Sequence, residues 1–79
     1  MTITSLYHIR AVLQSEADEL CACIRRVCEE LREAQGMRDH ELIKSIKPVK
    51  ARLEESLRRT ETALAEIDEI LRETDGERG

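Results

Sequence analysis

The spacing of the apolar side chains constrains this chain more than any other feature. In the first half they fall at Leu6, Ile9, Leu13, Ala17, Leu20, Ile24, Val27, Leu31 and Ala34. The intervals are three and four residues throughout, which is the repeat of a single helical face. The second half repeats the pattern forty residues on, at Ile46, Val49, Leu53, Leu57, Thr60, Leu64, Ile67, Leu71 and Thr74. Between them lies Gly36-Met37-Arg38-Asp39. Gly36 suits the left-handed residue that ends a helix, and Asp39 suits the N-cap of the next.

These signals predict one all-α domain over residues 1–79, an antiparallel two-helix hairpin with coiled-coil-like packing. The first helix is expected over about 5–35, capped by Thr4 or Ser5. The turn falls at about 36–39 and the second helix at about 39–74, with a frayed tail at 75–79. Pro48 removes a backbone donor and crowds the preceding turn, so the second helix is expected to continue with a kink. Leu42, Ile46, Val49 and Leu53 would hold one face through it. Some residue identities also follow the forty-residue offset, among them Leu13/Leu53 and Glu29-x-Leu31-Arg32-Glu33 against Glu69-x-Leu71-Arg72-Glu73.

Charge supports the antiparallel arrangement. Residues 44–59 carry Lys44, Lys47, Lys50, Arg52, Arg58 and Arg59 against Glu54 and Glu55. Folding at Gly36 lays them beside Glu16, Asp18, Glu19, Glu29 and Glu30. The acidic stretch from residue 61 onward comes to lie opposite the start of the first helix, where Arg10 is the only charge. Each exposed pair contributes only a few tenths of a kcal/mol, so the pattern speaks to orientation.

Several function classes fit poorly. No apolar run approaches the ~20 residues that cross a bilayer, so no membrane insertion is expected. MTITSLYHIR lacks a basic region followed by an apolar stretch, and the cysteines are three, Cys21, Cys23 and Cys28. On a helix Cys21 and Cys28 stand roughly 10 Å apart along the axis, too far to bridge. A reduced, cytoplasmic protein is the simpler reading. Cys21 and Cys23 diverge on a helix and His8 and His40 sit at opposite ends of the hairpin, so no metal site is expected. No glycine-rich phosphate loop or paired catalytic carboxylate stands out, and no enzyme activity or cofactor is expected. Nucleic acid is disfavoured by the acidic net charge of −4 and a single aromatic residue, Tyr7.

A protein partner has the best physical warrant. Only nineteen Leu, Ile and Val side chains are present, too few for a robust solitary core. The first helix carries an apolar arc of roughly 180°, wider than one packing stripe needs. Its surplus points to a partner interface at Val12, Cys23 and Ile24, with Leu20 and Val27 beneath and Tyr7 at the rim.

Three further features bear on the kind of partner. The chain has a Met-Thr-rich start with an early leucine, Met1-Thr2-Ile3-Thr4-Ser5-Leu6. Its first helix ends Glu30-Leu31-Arg32-Glu33 before the Gly36 turn and Asp39. Its second helix carries Leu53-Glu54-Glu55-Ser56-Leu57 and Ala63-Leu64-Ala65-Glu66-Ile67. Taken over nearly the whole chain, this resembles the small helical-hairpin co-chaperones of bacterial type III secretion needle subunits. The resemblance implies a non-enzymatic, cytoplasmic protein that pairs with a larger chaperone of tetratricopeptide-like helical repeats. Together they would keep a needle subunit soluble and unpolymerised before export. The alternative is a homodimeric four-helix-bundle regulator or adaptor, self-associating through the same spare face and able to bind nucleic acid across its surface.

Overall fold

A computed structural model describes the backbone of residues 2–78 and the side chains of residues 2–74. Two helices pack against each other, α1 over Ile3–Gly36 and α2 over His40–Arg78, with no strand among the described residues. The chain is an all-α hairpin, as the apolar spacing predicts. Helix α1 begins earlier than expected, because Thr2 rather than Thr4 or Ser5 is the N-cap. Its Oγ1 accepts from the Ser5 amide at 3.2 Å, meeting one of the orphan donors of the first turn. Helix α2 runs on through residues 75–78, which the sequence assigns to a frayed tail. Gly79 lies outside the described residues.

The turn corrects the role expected of Gly36. Gly36 is the last residue of α1 and its φ is not positive. Arg38 takes the left-handed conformation instead, at φ 56°. The amide of Asp39 then donates to the Ala34 carbonyl at 3.0 Å, and that of Arg38 to Gln35 at 3.2 Å. These two bonds close a Schellman-type end. Asp39 caps α2 as expected, its Oδ1 accepting from the Leu42 amide at 3.1 Å.

The packing seam follows a stricter repeat than the apolar identities suggest. In α1 a buried or half-buried row runs Ile3, Leu6, Arg10, Leu13, Ala17, Leu20, Ile24, Val27, Leu31 and Ala34, with Ile9 and Cys28 half-buried at its borders. In α2 the matching row runs Ile43, Ile46, Lys50, Leu53, Leu57, Thr60, Leu64, Ile67, Leu71 and Thr74, with Ala63 and Asp68 half-buried at its borders. Both alternate three and four without a break, and the two rows match at an offset of forty. Arg10 and Lys50 hold the places that identity alone gives to Ile9 and Val49. A long cationic side chain can lay its methylenes along a seam and keep its head in water. Leu42 and Val49, expected on the seam, are instead 41% and 48% exposed.

The register is fixed where Arg10 Nε donates to Asp68 Oδ1 at 2.5 Å, across the hairpin. In that register the seam residues nearest in height are Leu6 and Leu71, Leu13 and Leu64, Ala17 and Thr60, and Ala34 and Ile43, one position from a straight count off the pair. Ala17 and Ala34 are buried at 5% and 0% exposure. Their small side chains let the helices approach. Thr60 is tolerated in the seam because its hydroxyl donates to the Ser56 carbonyl one turn back, at 3.0 Å. Pro48 lies inside α2 on its exposed outer side. The Lys44 carbonyl that loses its amide partner there can turn to water.

One layer of contact leaves the molecule open. Among the described residues only Ala17, Ala34, Ile46 and Leu71 are buried apolar residues, and no large side chain is wholly enclosed. The accessible surface is 6267 Å², where a compact monomer of 9.1 kDa would expose about 4,900 Å². The radius of gyration is 17.8 Å, against about 12 Å for a globule of this length.

Two pairs of substitutions test this description by chemical denaturation. Ile46→Ala should cost about 2–3 kcal/mol, and Val49→Ala about 0.5 kcal/mol or less. Equal losses would put Val49 back on the seam. At the turn, Gly36→Ala has free space for its methyl and should stabilise by about 0.5–1 kcal/mol. Arg38→Gly should stabilise by roughly 1 kcal/mol through relief of the left-handed strain. A loss in both would contradict the turn geometry.

Candidate partner-docking flank

The strict repeat divides the rest of the surface into two flanks. With Ile3 as a and Leu6 as d of a heptad, the seam uses a and d, and the e and g positions border it. In an antiparallel pair the g row of one helix runs beside the g row of the other, and e beside e. The two borders differ in chemistry.

The e flank brings Tyr7, Gln14, Cys21 and Cys28 of α1 beside Lys47, Glu54, Glu61 and Asp68 of α2. It is charged along the whole of α2. Here Tyr7 stands half exposed near the Arg10–Asp68 pair. The hydrogen bond from Arg10 to Asp68, and then the carboxylate's charge, hold the Arg10 guanidinium above its usual pKa. The cation of this pair therefore persists throughout the ordinary pH range.

The g flank is different. Its α2 row is Leu42, Val49, Ser56, Ala63 and Ile70, five consecutive heptads without a charge in a chain that is 38% charged. Ile9, Glu16, Cys23 and Glu30 of α1 run beside it. A shallow groove of about 330 Å³ opens on this flank, lined by Glu16, Glu19, Leu20, Cys23, Ser56 and Thr60. Four of the six large apolar residues left exposed belong here, namely Val12, Leu42, Val49 and Ile70, with Met37 at the adjoining turn. Outside the apolar strip lie the c positions. On α1 they are Val12, Glu19, Arg26 and Glu33, and on α2 Ser45, Arg52, Arg59, Glu66 and Glu73.

The structure separates the residues singled out from the sequence. Val12 and Cys23 are exposed on the g side, and Leu20 lines the groove between them. Ile24 and Val27 are half-buried in the seam. Tyr7 faces the opposite flank. Apolar identity alone does not reveal the α2 row, because Ser56 and Ala63 interrupt it. The signal was present as an uncharged residue at every seventh position from 42 to 70.

The basic stretch of α2 is held largely within its own helix. Lys50 reaches Glu54 at 3.6 Å, Arg58 reaches Glu55 at 3.0 Å and Arg59 reaches Glu55 at 3.5 Å. Among the described residues no three His, Cys, Asp or Glu side chains come together in a metal-binding cluster. No described helix is long and apolar enough to cross a membrane. The three cysteines are free, with Cys21 and Cys23 exposed and Cys28 half-buried.

Replacing all three cysteines by Ser should leave the helical circular dichroism intact and cost about 1 kcal/mol or less. A thiol reagent should label Cys21 and Cys23 ahead of Cys28. Loss of the fold in the triple variant, or zinc retained in stoichiometric amount by the purified wild type, would contradict this placement.

No family model matches this chain, and comparison with known proteins and with solved structures gave no significant match.

Proposed function

We propose that this hairpin is a non-catalytic binding module that docks its g flank on a helical face of a larger protein. The observation that carries the reading is the uncharged α2 row, Leu42, Val49, Ser56, Ala63 and Ile70, lying beside Ile9, Val12 and Cys23. A helix laid along that strip would bury apolar side chains at helical spacing, which is the helix-in-groove mode of recognition. The end of a helical-repeat array presents an unpaired apolar face of matching kind. The resemblance to type III secretion co-chaperones supports a specific form of this role. The hairpin would pair with a tetratricopeptide-like chaperone in the cytoplasm, and the pair would shield a needle subunit from premature assembly.

Co-expression with the candidate chaperone, followed by mass measurement of what co-purifies, tests the reading. A buried Val contributes roughly 1.5–3 kcal/mol, so Val49→Asp or Val12→Asp should weaken the complex about tenfold or more. Both positions are about half exposed in the hairpin, so its helicity should survive. Glu61→Lys on the e flank should leave binding unchanged. Retained binding in both Asp variants, or loss only in the e-flank variant, would overturn the assignment.

A further inference from the structure

We infer that the helix received by the g flank is cationic, an amphipathic helix with Lys or Arg along both borders of its apolar stripe. This rests on the reading of that flank as a docking face and names the chemistry of its occupant.

The register divides the charges of the hairpin unevenly between its two sides. On the g side, the g and c rows of both helices carry six carboxylates, Glu16, Glu19, Glu30, Glu33, Glu66 and Glu73. Three arginines stand against them, Arg26, Arg52 and Arg59. On the opposite side the e and b rows carry only four carboxylates, Asp18, Glu54, Glu61 and Asp68. Six cations outnumber them there, Arg25, Arg32, Lys44, Lys47, Arg58 and Arg72. The uncharged α2 row therefore lies on the anionic side of a molecule whose other side is cationic.

Ion pairing within the chain sharpens the difference. Among the described residues none of the six g-side carboxylates is in an ion pair. Arg59, by contrast, already shares Glu55 with Arg58. The free negative charge also stands next to apolar surface. Glu16 and Glu19, neighbours on the face of α1, form one lip of the groove of about 330 Å³ whose wall includes Leu20 and Cys23. A Lys or Arg of a docked helix can lay its methylenes along Leu20 and Cys23 and carry its charge to that lip. An acidic helix, or a second copy of this chain, would bring net negative charge to a face that already holds it. A cationic helix brings the opposite sign.

Calorimetric titration of the full chain with three synthetic peptides tests this. The peptides share Leu at a and d of repeated heptads and differ only at e and g, which hold Lys, Gln or Glu. One residue type on both borders makes the result independent of the direction in which the peptide lies. The Lys peptide should bind about tenfold or more tighter than the Glu peptide, with Gln between, and the difference should narrow at high salt. Glu16→Gln combined with Glu19→Gln should weaken the Lys peptide about fivefold. Asp18→Asn combined with Glu61→Gln removes the same charge from the other side and should leave binding unchanged. A Gln or Glu peptide bound as tightly as the Lys peptide overturns the inference, as does an equal loss in both double variants, or no binding by any peptide. Sedimentation showing a dimer that Val49→Asp dissociates would give the face to a second copy and overturn it too. The docking reading fails separately, if the peptides bind and Val49→Asp leaves every affinity unchanged. It stands, and this inference alone fails, if all three bind equally and Val49→Asp abolishes that binding.

Discussion

Two helices in a hairpin can cover only one stripe of each other, and the rest of this structure follows from that limit. The stripe is a heptad seam ten positions long on each helix, and among the described residues it encloses no large side chain completely. Everything apolar beyond it must face water or another molecule. The seam does not even use all of the best apolar residues. It gives two of its places to Arg10 and Lys50, while Val49 and Leu42 stand outside. A geometric repeat, not the hydrophobicity of each position, decides what packs. Arg10 also does something an aliphatic residue could not. Its contact with Asp68 is a directional link between distant parts of the chain, and it marks one register of the hairpin among those a sliding seam would allow.

Much of this was legible in the sequence, and the exceptions share a cause. Leu13, Leu20, Leu53, Leu57, Leu64 and Leu71 announce a helical face, and they lie on the seam. Thr60 and Thr74 were read as seam residues from spacing alone, and the structure shows why a hydroxyl can sit there. Apolar identity is a poor proxy for burial next to a long cationic side chain: Val49 is exposed beside Lys50, whereas Ile9 stays half-buried beside Arg10. The same substitution of identity for geometry hid the α2 row at 42, 49, 56, 63 and 70. Ser56 and Ala63 do not look like an interface until the register places them between Val49 and Ile70. The helix start was ambiguous for a local reason. Thr2, Thr4 and Ser5 all carry a hydroxyl that can cap, and only the backbone path selects Thr2. At the turn, glycine's tolerance of positive φ pointed to Gly36, yet the helix runs through it and Arg38 bears the strain.

The two flanks give the molecule a front and a back. The e flank carries charges on α2 and the Arg10–Asp68 link, so burying it would strip water from several ions. The g flank has an uncharged α2 row, with Glu16 and Glu19 on its α1 side and Arg52 and Arg59 along its α2 edge. Such an arrangement offers apolar area for affinity and charge for alignment. In the proposed function this is the face that would receive a helix of a larger partner.

Methyl NMR with a soluble paramagnetic agent tests the central claim most directly, because it reports which side chains water can reach. The measurement compares the dilute chain with the same chain in whatever assembly it forms. The account predicts that the methyls of Val12, Val49 and Ile70 are reached in the dilute chain and shielded on assembly, while Ala51 and Ala65 on the outer face of α2 stay exposed. Shielding of Ala51 and Ala65 instead, or no change at Val49 and Ile70 in an assembled sample, would contradict it.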